Sequence, residues 1–434
     1  MKLFRMIPQS LQFYLATFLI ATGQLSHASK PDVLGYSAAG LGHVGSMTGK
    51  SWTVAASHPG GLISCDKQTI AQGYSLTHFQ KKIESSTTRS QTSHGFEGGL
   101  CLPSTIWGFD AAIGLNWFLP NEHITSLRTQ APRGPMMVFF EDRLDRLAIV
   151  SSLGVGQREF WGIGIGLEHL ATTVGSITLE GELILDEETQ PYLEGDIDFL
   201  FESKRRLLFS FWAALTPKLK WGLGYMAPLA LTIDLDLEFD GDVASSPGDP
   251  ILEEVSLLLQ SHLYAYATPP RWTSYLELSE FFGKISVEVS LLDWSALEVP
   301  LPTSVVTTSL RDETSGLAAV ENPMHESWQF TLAYTSPELD SGRFGTWTIH
   351  SGFRYEEPMV ALDQATLIDV PKLHFGLAVE YHPIHRPVYP TISVGFRWIE
   401  GIERMVVSDK ADYGDFKTNL SGLAAQLELE WSWQ

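Results

Sequence analysis

The sequence predicts an all-β chain, a transmembrane antiparallel β-barrel of about fourteen strands with a small N-terminal hatch inside its lumen. Three observations predict it. Apolar and polar residues alternate with period two over most of the chain. The alternating segments run to about ten residues or more, where soluble strands average about 5–6. The connections between them are short and long by turns, as in outer-membrane barrels with tight periplasmic turns and large external loops.

Residues 1–28 have the three parts of a secretory signal peptide. Lys2 and Arg5 give a positive start, an apolar stretch runs from Leu11 to Thr22, and Ser26-His27-Ala28 places small residues at the −3 and −1 positions. An apolar run of about twelve residues is too short to span ~30 Å of hydrocarbon as an anchor. Residues 29–65, rich in Gly, Ala and Ser, follow as the hatch, and 66–434 as the barrel. Cys65 and Cys101 are the two cysteines. Two thiols exclude a disulfide scaffold or a cysteine-rich zinc site, and export permits a Cys65–Cys101 bridge or two free thiols.

In 231–240, Leu231, Ile233, Leu235, Leu237 and Phe239 share one face, and Thr232, Asp234, Asp236, Glu238 and Asp240 the other. Ile285, Val287, Val289 and Leu291 oppose Lys284, Ser286, Glu288 and Ser290. Leu373, Phe375, Leu377, Val379 and Tyr381 oppose Lys372, His374 and Glu380, and the last segment sets Leu427, Leu429, Trp431 and Trp433 against Gln426, Glu428, Glu430 and Ser432. Successive strand side chains point to opposite faces, so each segment separates two media. A half-buried strand of a soluble sandwich also alternates. Strand length, glycine and ionisable residues on the polar face, and aromatic residues at segment ends (Trp107, Trp117, Trp294, Tyr355) favour the barrel. Short turns fall near Leu102–Ser104, Gln157–Glu159, Thr216–Lys218, Phe281–Gly283, Ser336–Arg343 and His382–Val388. Long connections fall at 81–93, 119–143, 172–204, 241–269, 296–325, 357–371 and 400–420, which leaves fourteen strands and both ends inside. Parts of 174–203 and 253–266 alternate too and predict strands that continue above the membrane.

Acidic residues outnumber basic ones, 51 to 29, a net charge of −22 that argues against a nucleic-acid partner. A mean hydropathy of +0.01 excludes a bundle of membrane helices but not a barrel, whose lipid-facing and lumen-facing residues average away.

Several motifs carry a family resemblance. Gly35-Tyr36-Ser37-Ala38-Ala39-Gly40-Leu41-Gly42, then Ser57-His58-Pro59-Gly60-Gly61-Leu62, precede the first strand. Further on stand Trp221-Gly222-Leu223-Gly224-Tyr225-Met226-Ala227-Pro228, Leu292-Asp293-Trp294-Ser295 and Gly352-Phe353-Arg354-Tyr355-Glu356-Glu357-Pro358. In this order they resemble the outer-membrane long-chain fatty-acid transporter family (FadL/TodX type). That family has a small-residue hatch, an Asn-Pro-Ala-Gly-Leu motif before strand one, and recurring strand ends of these kinds. His58 and Gly60 replace the motif's Asn and Ala, and the chain ends Trp433-Gln434 rather than on the aromatic residue itself.

The resemblance implies passive transport of hydrophobic molecules through a hatch-lined pocket, with Gly40, Gly42, His58, Pro59 and Gly60 on the pathway. It also implies a sideways exit beside a kinked third strand, here about 105–118, where Gly108, Asp110 and Gly114 weaken regular pairing. Met136, Met137, Phe139 and Phe140 in the 119–143 loop form an apolar cluster that either captures ligand or packs at the rim. The expected partners are outer-membrane lipid and lipopolysaccharide, a hydrophobic small molecule, and the barrel-assembly machinery acting on the C-terminal strand. The barrel is expected to be a monomer without cofactor, metal or catalysis.

Other motifs weigh less. Gly40-Leu41-Gly42-His43-Val44-Gly45 matches a dinucleotide fingerprint but lacks the βαβ context that gives it meaning. Gly162-Ile163-Gly164-Ile165-Gly166 reads as a strand with small residues toward the lumen. His382 and His385 are too few for a metal and are expected in solvent. Asp234, Asp236 and Glu238 line one face without a nucleophile beside them, which leaves a barrel hydrolase as a remote reading. An accessory barrel that binds exported proteins is the other alternative.

Overall fold

A strand with one apolar and one polar face belongs at a boundary between two media, and a sheet of such strands loses its unpaired edges only by closing on itself. The computed structural model describes residues 37–43, 51–83, 86–121, 136–137, 147–184, 192–246, 249–296, 303–308, 311–316, 324–360, 367–384, 389–406 and 416–433. The signal peptide, Phe139 and Phe140 lie outside them.

Fourteen strands close the sheet. They are β1 Gln68–Ile83, β2 Ser86–Ile106, β3 Phe109–Pro120, β4 Ala148–Gln157, β5 Trp161–Ile184, β6 Tyr192–Thr216 and β7 Leu219–Met226. The second half is β8 Arg271–Glu280, β9 Gly283–Asp293, β10 Glu326–Thr335, β11 Gly345–Glu356, β12 Lys372–Pro383, β13 Thr391–Gly401 and β14 Phe416–Trp433. Each pairs antiparallel with the next. β14 returns to β1 with Trp433 opposite Gln68, and the Trp433 indole donates to the Gln68 side chain at 2.8 Å.

The alternation maps onto the two faces as expected. Along β10, Trp328, Phe330 and Leu332 are open on the outside, while Ser327, Gln329, Thr331 and Ala333 are buried in the lumen. Along β12, Phe375 and Leu377 face out, and Lys372, His374 and Ala378 face in. Aromatic pairs mark the belts: Trp347 with Tyr381 near the periplasmic ends, Tyr225 with Trp272 near the outer ends.

Beyond the membrane, the distal part of β5 pairs in parallel with strand 229–246, which pairs with 249–268, then 303–308, then 311–316. This external sheet is the continuation predicted from 174–203 and 253–266. Asp234, Asp236 and Glu238 lie in its 229–246 strand, not in the barrel wall.

The structure corrects several boundaries. The 81–93 connection is almost entirely strand, since β1 and β2 extend to within two residues of each other. The first tight turn is at 107–108 rather than Leu102–Ser104. Gly108 therefore sits in a turn with φ +84°, not in a kinked strand. β3 runs in unbroken register with β2 and with β4 across Gly114, so the expected weak pairing of the third strand is absent from these ladders. Trp294 does not belong to a lipid-facing belt. It is buried in a 3₁₀ turn and donates to Ser327 at 3.2 Å.

Candidate functional site

The core of the molecule is the plug inside the barrel. Its described parts are α1 Ala38–Gly42, a 3₁₀ turn Ser51–Thr53, α2 Val54–Ser57 and a 3₁₀ turn Pro59–Ser64. Ser37 caps α1, its hydroxyl accepting from the Gly40 amide at 3.0 Å. Helices this short are not stable alone and must be held by tertiary contacts.

The barrel wall provides flat seats for them. Gly352, Gly376 and Gly395 on β11, β12 and β13 lie directly under the backbone of α1, where a Cβ would run into Gly42, Leu41 or Ala38. Gly42 itself comes so close that its own Cβ would stand 2.8 Å from that of Ala378. On the opposite wall, Gly154 and Gly164 are cross-strand partners facing Pro59 and Gly60, with Gly162 beside them. The small-residue strand 162–166 is thus the floor on which the His58-Pro59-Gly60 motif rests.

Polar contacts fix the motif. The Ser210 hydroxyl accepts from the Gly60 amide at 2.7 Å, and the Trp212 indole donates to the Gly60 carbonyl at 2.9 Å. The Ser152 hydroxyl donates to the Ala55 carbonyl at 2.6 Å. Arg158, in the β4–β5 turn, donates to the carbonyls of Ile63 and Cys65 at 2.9 and 3.3 Å. Asp110 holds this arginine, accepting from its backbone amide at 3.0 Å. Asp110 therefore orients the plug's anchor rather than disturbing β3. Gly114 leaves room for Leu62 and Ala55 of the plug.

His58 is fully enclosed. Its Nε2 is 2.9 Å from the Tyr275 hydroxyl and the rings meet edge to face. Burial pushes its imidazole down to about 3, so it is neutral at physiological pH. His58, where the resembled motif has Asn, makes a polar contact at this point. Cys65 and Cys101 are free thiols in one buried cluster with Trp52, Val54, Ala55 and Leu62.

At the other end of the plug, the ring of His43 reaches Thr335 at 2.8 Å and His350 at 3.1 Å. The far nitrogen of His350 lies 3.0 Å from Glu380, which is 3.6 Å from His382. His382 is thus drawn into a lumen network and is not in solvent. Glu428 accepts from the Ala38 amide at 3.0 Å. These groups face a polar cavity of about 510 Å³ on the periplasmic side of the plug, lined also by Lys220, Lys284 and Glu430.

The lumen on the outer side of the plug mixes apolar side chains with buried polar and charged ones. Leu420, Phe79, Phe118, Val150, Leu170 and Leu208, from β14, β1 and β3 to β6, bring apolar side chains to one side, and Thr92, Glu97, Asn116 and the ion-paired Glu168 and Arg206 are buried among them. The side from β8 to β13 carries further buried ion pairs and hydrogen bonds. Lys372 bridges Glu356 and Asp369 at 2.9 Å each, Arg397 donates to His374 at 2.8 Å, and Arg354 to Thr331 at 3.0 Å. Sequence alternation placed these residues inward, but not their pairing with one another. That follows from which strands the closed sheet makes neighbours. Met136 and Met137 form a two-residue strand paired with Leu367–Ile368, and the described residues do not extend to the rest of that apolar cluster.

No family model and no curated protein matches the sequence. Solved structures do. A Pseudomonas aeruginosa FadL homologue aligns with a TM-score of 0.60 at 11% identity, over 94% of this chain and 100% of its own. The Ralstonia pickettii toluene transporter TbuX gives 0.53 at 13%, over 92% and 99%. The Pseudomonas putida toluene transporter TodX gives 0.52 at 12%, over 92% and 99%. Across nearly its whole length, the chain has the fold of the FadL- and TodX-type outer-membrane channels.

Proposed function

We propose that this barrel carries hydrophobic molecules passively across the bacterial outer membrane, after export directed by residues 1–28. The observation that carries this reading is a closed barrel with a plug docked in its lumen, in the fold of a FadL homologue and of the toluene transporter TodX. Phe79, Phe118, Leu170 and Leu208 would contact a lipophilic body, such as an acyl chain, and the buried polar groups beside them a head group. Met136, Met137, Phe139 and Phe140 are proposed as the external capture patch. Below the plug the cavity is lined by charged and hydroxyl side chains, a poor path for an apolar solute. This supports a sideways exit into the membrane over release into the periplasm. Gly40, Gly42 and the His58-Pro59-Gly60 motif then act as the gate's bearing surfaces.

The test is uptake of a labelled fatty acid and of toluene into liposomes bearing the full chain. Uptake of either above protein-free liposomes, abolished in a variant with the plug cross-linked to the wall, supports the reading. Impermeability to both, with or without residues 29–64, refutes it. An accessory barrel for exported proteins predicts that second outcome.

A further inference from the structure

Among the described residues, large apolar side chains stand in the open in or beside the strand connections at the periplasmic end. Trp107 is 94% exposed and Phe281 90%, the two highest values among the exposed large hydrophobics. Phe160, Leu215, Phe344 and Ile384 are each more than half exposed. Trp107, Phe281, Phe160 and Phe344 lie in the β2–β3, β8–β9, β4–β5 and β10–β11 connections, Leu215 is the penultimate residue of β6, and Ile384 directly follows β12, so among the described residues they are spread around this end of the barrel. Side chains this open and this apolar, repeated at successive turns around one rim, are not the scattered single residues of an ordinary soluble surface.

Trp107 shows that the placement is specific. It opens a two-residue turn at φ +49°, followed by Gly108 at φ +84°. Such hairpins favour Asn-Gly, and a bulky side chain at positive φ is an outlier. The chain keeps an indole at the outermost point of the turn despite that backbone.

We infer that the turn tips themselves are seated in the periplasmic leaflet, so that the membrane interface at this end extends past the strand-borne belt of Trp161, Trp221, Trp347 and Tyr381 to the turns. A protein partner would touch one arc of the rim. A plane touches every turn, and the tips continue the lipid-facing surface without a break. The charged residues among them suit a headgroup layer: Lys218 pairs across neighbouring turns with Glu280 at 2.9 Å, and Arg158 points inward to the plug. The partner is therefore a phospholipid interface.

Nitroxide labels at W107C, F281C and F344C, in the full chain with Cys65→Ala and Cys101→Ala, test this in liposomes of phosphatidylethanolamine and phosphatidylglycerol. A label at S64C, exposed in the polar cavity beneath the plug, is the aqueous control. The expected result is an oxygen-to-nickel-chelate accessibility ratio several-fold higher at all three tips than at the control. Because the labelled variants lack the native rings, quenching of the otherwise unmodified chain by lipids brominated near the headgroup is measured against W107F, which should lose a distinct share. Nickel accessibility at the tips equal to the control, or unchanged quenching in W107F, overturns the inference and leaves the rim free for a periplasmic protein.

Discussion

Acid should loosen the plug through His58, and the size of the effect follows from its burial. In the docked plug this imidazole stays neutral down to about 3, whereas in water its value is 6.5. Above 6.5 neither the docked nor the released form is protonated, and the full docking energy is present. As pH falls below 6.5 the released form takes up a proton that the docked form refuses, so docking weakens until about 3. At 1.36 kcal/mol per pH unit, the loss reaches about 2 kcal/mol at pH 5, equivalent to a roughly thirtyfold rise in the released population. The plug does not simply fall out. Its hydrogen bonds to Ser210, Trp212 and Ser152 add about 1 kcal/mol each, and burial of Leu62 and Ile63 about 1.5–3 kcal/mol each. Protease cleavage within 51–64 of the native barrel, measured from pH 7.5 to 5, reads the released population. His58→Gln should show no such rise, and the difference between the two curves isolates this residue from His43 and His350. Parallel curves would refute the reasoning.

Two substitutions probe the seats and the buried ion pairs of the lumen. Gly164→Val places a branched side chain against the Pro59–Gly60 backbone, and overpacking of this kind costs about 1–3 kcal/mol. It should raise plug cleavage at neutral pH while leaving the heat-resistant barrel band intact on gels. Lys372→Met strips the cation shared by Glu356 and Asp369 and should destabilise the barrel by about 3–5 kcal/mol in denaturant titrations. Adding Glu356→Gln and Asp369→Asn should recover most of that loss.

The number and order of strands were readable because alternation is local: Leu373 to Tyr381 can only be a strand with two unlike faces. The inward row of Gly162, Gly164 and Gly166 was readable for the same reason. Its purpose was not, since nothing in the strand records that Pro59, about a hundred residues earlier, lies on it. The β2–β3 turn was misplaced because Pro103 looks like a breaker, whereas Trp107 is among the residues least suited to a left-handed turn. Asp110 looked like a defect in β3 and instead holds Arg158, a relation created only when two turns meet at the rim. The pairing of His43 with His350 likewise depends on barrel closure.

The plug's bonds also bear on how the barrel is made. The last pairing, β14 with β1, joins residues separated by some 350 positions, and such closures carry the largest entropic cost of the fold. The plug runs covalently into β1, while α1 lies on β12 and β13 and its first amide is held by Glu428 of β14. A plug that seats before closure would bring the two ends of the sheet to the same side of one small body. It would then serve as the mandrel around which the barrel is rolled, and its removal would slow assembly even where the finished barrel no longer needs it.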